Sequence, residues 1–433
     1  MFSRHAREHG PTGDHILHHG RVNGQTRVLS IYEGFFSGGA RILHSDLIAG
    51  LHGRRGQQHG LLSIHREMRR EATVQPMRDD ACYRRLLAGG LAVDTLGRGA
   101  DDRGPYSASE LARVAEMAGR ADVLLTLKEQ PLGLLNRADL GGRPVIACLH
   151  RSDPENQGEA LDELRTAAAT GRLAAAVCCA ESARDAYAAA GIPGELLHVI
   201  PNGVDLRRFR PDRRAGAAVR AGLGIPAEAP VVVFAARYDG MKNVPLLLAA
   251  ARVLRTLRPD AHVLLCGAGM TVRNPALRLD LAQQGLTAGA GVHLLGICPK
   301  PEAIYAAADV VALTSSFGEA APLCLIEGML CGAVPVATDV GDCAAIVAGH
   351  GLIAEPTPDA VAHAWLEALA RRAHFQAAAR HSRHRFGRAR MISAYGSLIR
   401  HVHRAPSPAL APRPLPKSAR ALSPAVPEPL SLA

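Results

Sequence analysis

Two glutamates, Glu319 and Glu327, flank a stretch whose residue types fit the binding of a phosphorylated sugar. Pro322, just inside the first of them, is placed to open a helix, because its missing N–H would be an orphan in the first turn anyway. The free amides and positive dipole end of such a helix form a seat for phosphate. One carboxylate beside that seat and a second about a turn and a half inward could grip the hydroxyls of a nucleotide sugar. A plainer reading makes Glu319 a helix cap and Glu327 a solvated surface residue. A second pair, Arg237 and Lys242, follows the apolar run 230–236. A guanidinium fork and an ammonium point charge together can clamp a diphosphate. Departure of such a leaving group develops negative charge, so cations aimed at it stabilise the transition state. In isolation two basic residues five apart carry little information.

These residues need a scaffold that brings loops together, and the apolar runs supply one. Residues 308–314 and 334–338 read as buried parallel strands on either side of the glutamate stretch, with a helix between them. Runs 27–32, 121–127, 144–150, 173–179, 197–200, 230–236 and 262–270, the last running into glycines, read the same way. After the first comes a glycine loop with Gly38 and Gly39, then a helical pattern through Ile42, Leu43, Leu47 and Ile48. Strand, glycine loop and helix present backbone amides at the carboxyl end of an open α/β sheet. His150 ends the 144–150 strand, where a structural role is the ordinary one. Pro201-Asn202-Gly203 is strong turn chemistry. Gly267 and Gly269 invite a dinucleotide reading, hence an NAD-dependent dehydrogenase as an alternative. Val272 stands where the third glycine of that fingerprint belongs, and no first βαβ unit opens there.

The chain of 433 residues is long enough for two domains, and its 48% hydrophobic content supports sizeable cores. No apolar run reaches the ~18 residues of a spanning helix, and the His-rich start lacks an apolar signal-peptide core. Nine cysteines with no C-x-x-C pair suit a reducing compartment and argue against a disulfide framework or a zinc site. A cytoplasmic location is therefore expected. The formal charge of +10 fits anionic partners. No interleaved aromatics or nucleic-acid motif accompany it, so nucleic acid is not expected. Much of the charge lies between residues 53 and 85, including Arg54, Arg66, Arg69, Arg84 and Arg85. Such a run reads first as a solvated face and second as a surface for anionic lipid, peripheral at the inner membrane face.

Four of these motifs, in register, resemble the retaining GT-B glycosyltransferases of family 4, the group 1 glycosyl transferases of bacterial polysaccharide synthesis. The E-x7-E phrase runs from Gly318-Glu319-Ala320-Ala321-Pro322 through Glu327, and Thr338-Asp339-Val340-Gly341-Asp342 follows it. Arg237-x4-Lys242, the Gly38-Gly39 loop and the hinge phrase 201–211 complete the set. The resemblance covers roughly residues 27–403. It implies two doubly wound Rossmann-like α/β domains facing across a cleft. The implied organisation is a disordered extension (1–26), an acceptor-side domain (27–205) and a nucleotide-sugar-binding domain (206–385). A helix (386–403) then crosses back, and a Pro-rich tail (404–433) has the composition of disorder.

The implied activity is retaining transfer of a hexose from a UDP- or GDP-linked sugar to a hydroxyl of a glycan or lipid-linked acceptor. No cofactor or metal is implied beyond that donor. A non-catalytic GT-B nucleotide-binding protein is the alternative within the fold. By resemblance, Glu319, His150, Arg237 and Lys242 carry the chemistry. Gly38, Gly39, Gly296, Ala321, Pro322, Leu323 and Glu327 bind the donor, with Gly296 in the loop that holds the base. Two positions depart from the pattern. Arg41 replaces a common acid, and Ala320 replaces a common glycine and is expected to place a methyl group near the sugar.

Overall fold

The computed structural model describes residues 25–405, apart from 37, 55, 71 and 72. The expected disorder of residues 1–24 and 406–433 lies outside those residues. Order was expected to begin at Arg27, but Thr26 already belongs to the first strand. The strands of the first half are β1 (Thr26–Tyr32), β2 (Gln57–His65), β3 (Glu67–Arg70), β4 (Thr73–Pro76), β5 (Ala92–Arg98), β6 (Val123–Leu127), β7 (Val145–Leu149), β8 (Leu173–Cys178) and β9 (Leu197–Val199). Strands β3 and β4 form a small antiparallel hairpin, and the other seven make one parallel sheet in the order β5-β2-β1-β6-β7-β8-β9. The second half contributes β10 (Val231–Ala235), β11 (His262–Cys266), β12 (Val292–Gly296), β13 (Val310–Leu313), β14 (Val334–Thr338) and β15 (Leu352–Ala354). They form a parallel sheet in the order β12-β11-β10-β13-β14-β15.

Both sheets are double-wound. Strand order reverses between β1 and β6 in the first and between β10 and β13 in the second. Loops that leave neighbouring strands in opposite directions open a crevice at those points, which is where open α/β sheets bind ligands. Central strands such as Val231-Val232-Val233-Phe234 are apolar on every residue because helices cover both sheet faces.

The first sheet shows how the two halves are tied. One face packs Leu29, Ile31, Leu124 and Leu149 against helices of its own half. The other face buries Val28, Val123, Leu125 and Ile146 under Leu43, Leu47 and Leu51 of the helix Gly39–Leu51 and under Met391, Tyr395, Ile399 and Val402. Those last four lie on the C-terminal helix Arg388–Arg404, so the chain's end completes the domain formed by its beginning. The two crossings between halves run side by side. The Val204 amide donates to Phe386 O (2.8 Å) and the Arg388 amide to Val204 O (2.9 Å). Two further helices, Pro358–Ala370 and Arg372–Ser382, precede the C-terminal helix and meet at Arg371.

The basic stretch 53–85 is not one solvated face. Its middle is β2, buried along nearly its whole length beside β1. Arg54, Arg66, Arg69, Arg84 and Arg85 remain exposed around it. Inside, Gln57 Oε1 and His59 Nε2 share a hydrogen bond (3.1 Å), and Gln57 also donates to Gly396 O of the last helix (3.0 Å).

Burial holds the His44 and His59 imidazoles well below their ordinary value, down to about 3. The unfolded chain therefore binds protons that the native state refuses. The stability involved is fully present above about pH 6.5 and is lost as pH falls towards 3, at up to ~1.4 kcal/mol per unit for each histidine. A Tm measured by calorimetry should drop by several degrees between pH 7 and 5, and a flat profile would contradict this. Among the described residues no helix is long and apolar enough to cross a membrane.

Candidate active site

The glutamate stretch sits at the carboxyl end of β13, beside the loop that leaves β10. Thr314 Oγ1 donates to Lys242 O (3.1 Å) and the Ser316 amide to Met241 O (2.9 Å), stitching the two loops together at the sheet's switch point. In that setting Lys242 Nζ donates to Glu319 Oε1, and Ser315 Oγ reaches the same oxygen at 2.6 Å. Both charged side chains are nearly enclosed, at 12% and 8% exposure. The structure thus joins Lys242 and Glu319, predicted separately, into one ion pair. Arg237 is not part of it. Its Nε donates to Asp239 (2.7 Å), and about a third of its side chain is open to solvent.

The helix expected to start at Pro322 runs Leu323–Cys331. Pro322 is its N-cap, in extended backbone (φ −66, ψ 117), so the proline precedes the first turn instead of occupying it. It brings no side chain to the first-turn amides, which leaves them for an anion. Glu327, a turn further on, accepts from the buried Tyr305 hydroxyl (3.2 Å). Burial pushes the Glu327 carboxyl up to about 7. A cavity of about 190 Å³ lies at the other end of this helix, beside Met329, Cys331 and Gly332, far from Glu319 in the fold.

The N-terminal half meets this stretch directly. Ser152 Oγ donates to Glu319 O, and Asn202 Nδ2 donates to Ala321 O (2.9 Å). Asp342 accepts from the amides of Glu181 (3.0 Å) and Ser182 (2.9 Å), capping a helix of the opposite half. Gly39 approaches Leu323, so that a Cβ on Gly39 would lie 3.4 Å from Leu323 Cδ1. The glycine loop and the helix start therefore face each other.

His150, just past β7, has a buried Nε2 with no hydrogen-bond partner among the described residues. Burial first, and then Lys128, hold its imidazole at about 3, so the ring is neutral.

Several expectations need correction. The Ala320 methyl is not near a sugar site: it is buried and packs into the core of the N-terminal half. Arg41 is buried against the rings of Tyr32 and Phe35 and donates to Phe36 O (2.7 Å), so it braces the glycine loop from behind. Gly296 has its amide on Met270 O (2.9 Å) and its carbonyl on the Gly267 amide (2.7 Å). With φ +63 it shapes the turn after β12. Gly267 and Gly269 serve packing: a Cβ on Gly267 would fall 2.0 Å from Ala236 O, and one on Gly269 2.8 Å from Tyr238 Cβ.

Sequence reasoning missed a charged group across the cleft. Lys128 and Glu129 follow β6 at the switch point of the first sheet, with Lys128 at φ +68, a conformation rare for lysine. Glu129 is 1% exposed, and its Oε1 has no hydrogen-bond partner among the described residues. Burial raises its carboxyl, against the pull of Lys128 and Arg151. Arg151 Nε in turn donates to Asp153 (2.6 Å), and this pair presses on Gly318. The signal available was a Lys-Glu pair ending an apolar run.

Comparison with known proteins agrees with this geometry. Residues 38–208 match the family described as Glycosyltransferase Family 4, and residues 229–371 match Glycosyl transferases group 1. The D-inositol 3-phosphate glycosyltransferase of Xylanimonas cellulosilytica is 32% identical over 255 residues, 54% of this chain and 58% of that protein. The corresponding enzyme of Corynebacterium urealyticum is 35% identical over 182 residues, 40% and 42% respectively. The chain therefore spans about half the length of these curated relatives. Among solved structures, Anabaena HepE in complex with UDP superposes with a TM-score of 0.70 at 21% identity, covering 87% of this chain and all of that one. A glycosyltransferase from Rickettsia africae superposes at 0.69 with 16% identity, over 89% of this chain and all of its own. Matched in both halves and built as two facing parallel α/β sheets, the chain belongs to the group 1, family 4 glycosyltransferases of the GT-B fold.

Proposed function

We propose that this chain moves a hexose from a UDP- or GDP-linked sugar to an acceptor hydroxyl with retention of configuration. The observation that carries the reading is the enclosed Lys242–Glu319 pair beside an uncapped helix N-terminus at the sheet's switch point. Lys242, Arg237 and the amides after Pro322 hold the diphosphate, and their charge takes the place of a divalent metal. Glu319 accepts from sugar hydroxyls, and Glu327 from the ribose. Neutral His150 donates from the opposite domain, and the Gly38-Gly39 amides close over the phosphates. As the sugar–oxygen bond breaks, the leaving phosphate oxygen takes the acceptor's proton on the face where the new bond forms. Neither glutamate then becomes a covalent nucleophile. The contacts from Ser152, Asn202 and Asp342 close the domains and keep water from the donor.

HepE was solved with UDP-glucose, which favours a UDP-linked hexose as the first donor to test. The relatives are D-inositol 3-phosphate glycosyltransferases, which adds D-inositol 3-phosphate to glycans and lipid-linked sugars as acceptors to test. Lys128 and Arg151, on the acceptor side, suit an anionic acceptor. The exposed arginines around β2 support peripheral contact with an anionic membrane.

Thermal shift against UDP- and GDP-sugars, plain nucleoside diphosphates and NAD tests the donor. A ligand at ~100 times its Kd adds ~2.7 kcal/mol to stability. The expected result is a shift with one nucleotide-sugar class, kept in EDTA, with product formed when an acceptor is added. A shift without turnover on any acceptor would favour a binding protein instead.

Two further outcomes follow. Gly38 is extended (φ −180) and a Cβ there would meet nothing closer than 4.0 Å. Gly38→Ala should therefore leave Tm within about 1 °C, because surface changes away from packing usually stay within ~0.5 kcal/mol. Its donor KM should rise about tenfold, because the added methyl keeps a donor phosphate from resting on that amide and so weakens one charge-assisted contact. The second concerns Glu327. Ribose hydroxyls bind the carboxylate better than the carboxylic acid, and this group is half protonated near pH 7. Nucleotide affinity should hold above pH 7 and weaken below it by up to about tenfold per unit. Calorimetric titration from pH 8 to 5 checks this, and Glu327→Gln should flatten the profile.

A further inference from the structure

We propose that the cavity at the far end of the helix Leu323–Cys331 is a regulatory site for a small soluble phosphate monoester, a glycerol or sugar phosphate. The cavity holds about 190 Å³. It lies between that helix, the start of the helix Arg213–Gly222, the end of the helix Pro301–Ala307 and the helix Arg372–Ser382. At ~30 Å³ per molecule it has room for roughly six waters, enough for a phosphate with a short polyol attached. Arg213, Arg372, Arg380 and Arg383 line it. Asp212 is the one carboxylate in the lining, and it is engaged by the Ala215 amide (2.9 Å). Arg372 is matched by Asp309, which also holds Arg220. Arg383 donates to the carbonyls of Leu206 (2.6 Å) and Phe209 (3.4 Å) and meets no acid among the described residues. Arg213 and Arg380 have neither a hydrogen bond nor an ion pair among the described residues.

Three guanidiniums from separate turns of the chain thus share one cavity without a carboxylate of their own. Arginines elsewhere, such as Arg98, Arg151 and Arg258, are matched to acids. A phosphate dianion supplies the missing charge, and its oxygens fit the guanidinium fork in pairs. Gln376 is fixed through Nε2 on Gly332 O (2.6 Å), which leaves its carbonyl, with Asp212, to accept from the ligand's hydroxyls. The site is also connected to the donor seat. The helix Leu323–Cys331 runs ~14 Å from its free first-turn amides to the cavity. A Cβ on Gly328 would fall 2.6 Å from Val311 Cγ1, so this helix rests on β13 with little slack. Ala306, in the cavity wall, adjoins Tyr305, whose hydroxyl donates to Glu327. An anion that draws Arg380 and Arg383 inward moves Gln376 with them, and through Gly332 O the end of the donor helix. The two sites are more than a Debye length apart, so their coupling is mechanical and not Coulombic. That coupling rests on the donor seat proposed above, and binding in the cavity does not.

Isothermal titration of the full-length chain with glycerol 3-phosphate, in saturating UDP to fill the donor seat, tests the site. The expected result is one binding event per chain, absent with glycerol. Arg380→Glu and Arg213→Glu, both at exposed positions, should each weaken the Kd at least about tenfold with Tm unchanged. Bound ester should change the Kd of UDP at least about threefold in the wild type and leave it unchanged in Arg380→Glu. Ester binding that survives both substitutions would overturn the site. A UDP Kd that ignores the bound ester would overturn the regulatory role. Capture by phosphatidic acid vesicles through Arg380, with no binding of the soluble ester, would overturn the soluble source. If UDP itself never binds, the donor reading fails instead, and loss of ester binding in Arg380→Glu still supports the cavity.

Discussion

Lys242→Met should reduce donor turnover by about 10²–10³-fold, the range for removing one preorganised group aimed at developing charge. It should also destabilise the fold, because Lys242 is the ammonium partner of an enclosed carboxylate. Breaking a buried ion pair from one side costs ~3–5 kcal/mol, and the residual exposure of this pair places it at the low end. Glu319 would keep only the Ser315 hydroxyl, at 2.6 Å, on that oxygen. A single variant therefore cannot separate the loss of a phosphate contact from the collapse of the loop.

The double variant Lys242→Met, Glu319→Gln separates them. With neither charge present, nothing is left unpaired, and Tm should recover most of what the single change lost. Turnover should not recover, because neither the cation for the diphosphate nor the carboxylate for the sugar has returned. Steady-state UDP release with Tm on the wild type and both variants makes the comparison. Recovery of turnover along with stability would mean that the pair is structural and the diphosphate is held elsewhere. The outcome sunk would be the central assignment of the site.

What the residues disclosed in advance was uneven for physical reasons. Strands such as β10 and β13 are buried on both faces, so their apolar runs announce themselves. The ion pair was legible only as two separate motifs, since Lys242 and Glu319 meet through loops of non-adjacent sequence. Strand β2 was hidden because it carries Gln57, His59 and His65 in its interior. Gln57 bonds to His59 and to the helix at Gly396, a partner 339 residues away, and His65 bonds to Gly99 O, which no local pattern can show. Pro322 signalled a helix start correctly in kind, and the one-residue displacement is within the usual uncertainty of helix ends. Ala320 was misplaced for a different reason. Sequence register puts it next to Glu319, but a neighbour in sequence can point to the opposite side of a loop. Here it points into the core of the other half. Glu129 escaped because a buried carboxylate reads, in sequence, like any charged loop residue.

The same loop makes Gly341 the most demanding backbone position in the site. Its φ is +61, where an L side chain costs roughly 1–2 kcal/mol. A Cβ there would also lie 2.0 Å from Glu319 O and 2.6 Å from its carbonyl carbon. Those atoms cannot swing aside as a flexible side chain would. Glu319 O accepts from Ser152 of the opposite half, and the next residue's carbonyl accepts from the Asp342 amide (2.8 Å). Asp342 itself caps the Glu181–Ala189 helix across the cleft. Gly341→Ala must therefore displace Glu319, loosen the contact with Ser152 and shift the Asp342 cap together. The expected loss is at least about 3 kcal/mol, with turnover reduced more than 10²-fold because a displacement near 1 Å at a reacting centre is enough for that. Gly349→Ala is the control. It has a comparable φ of +74 but nothing within 4 Å of a new Cβ, so it carries the backbone term alone. If the two variants lose equal stability and equal activity, the close approach of Gly341 to Glu319 does not position the carboxylate. If Gly341→Ala alone loses turnover, the turn after β14 is part of what holds Glu319 in place.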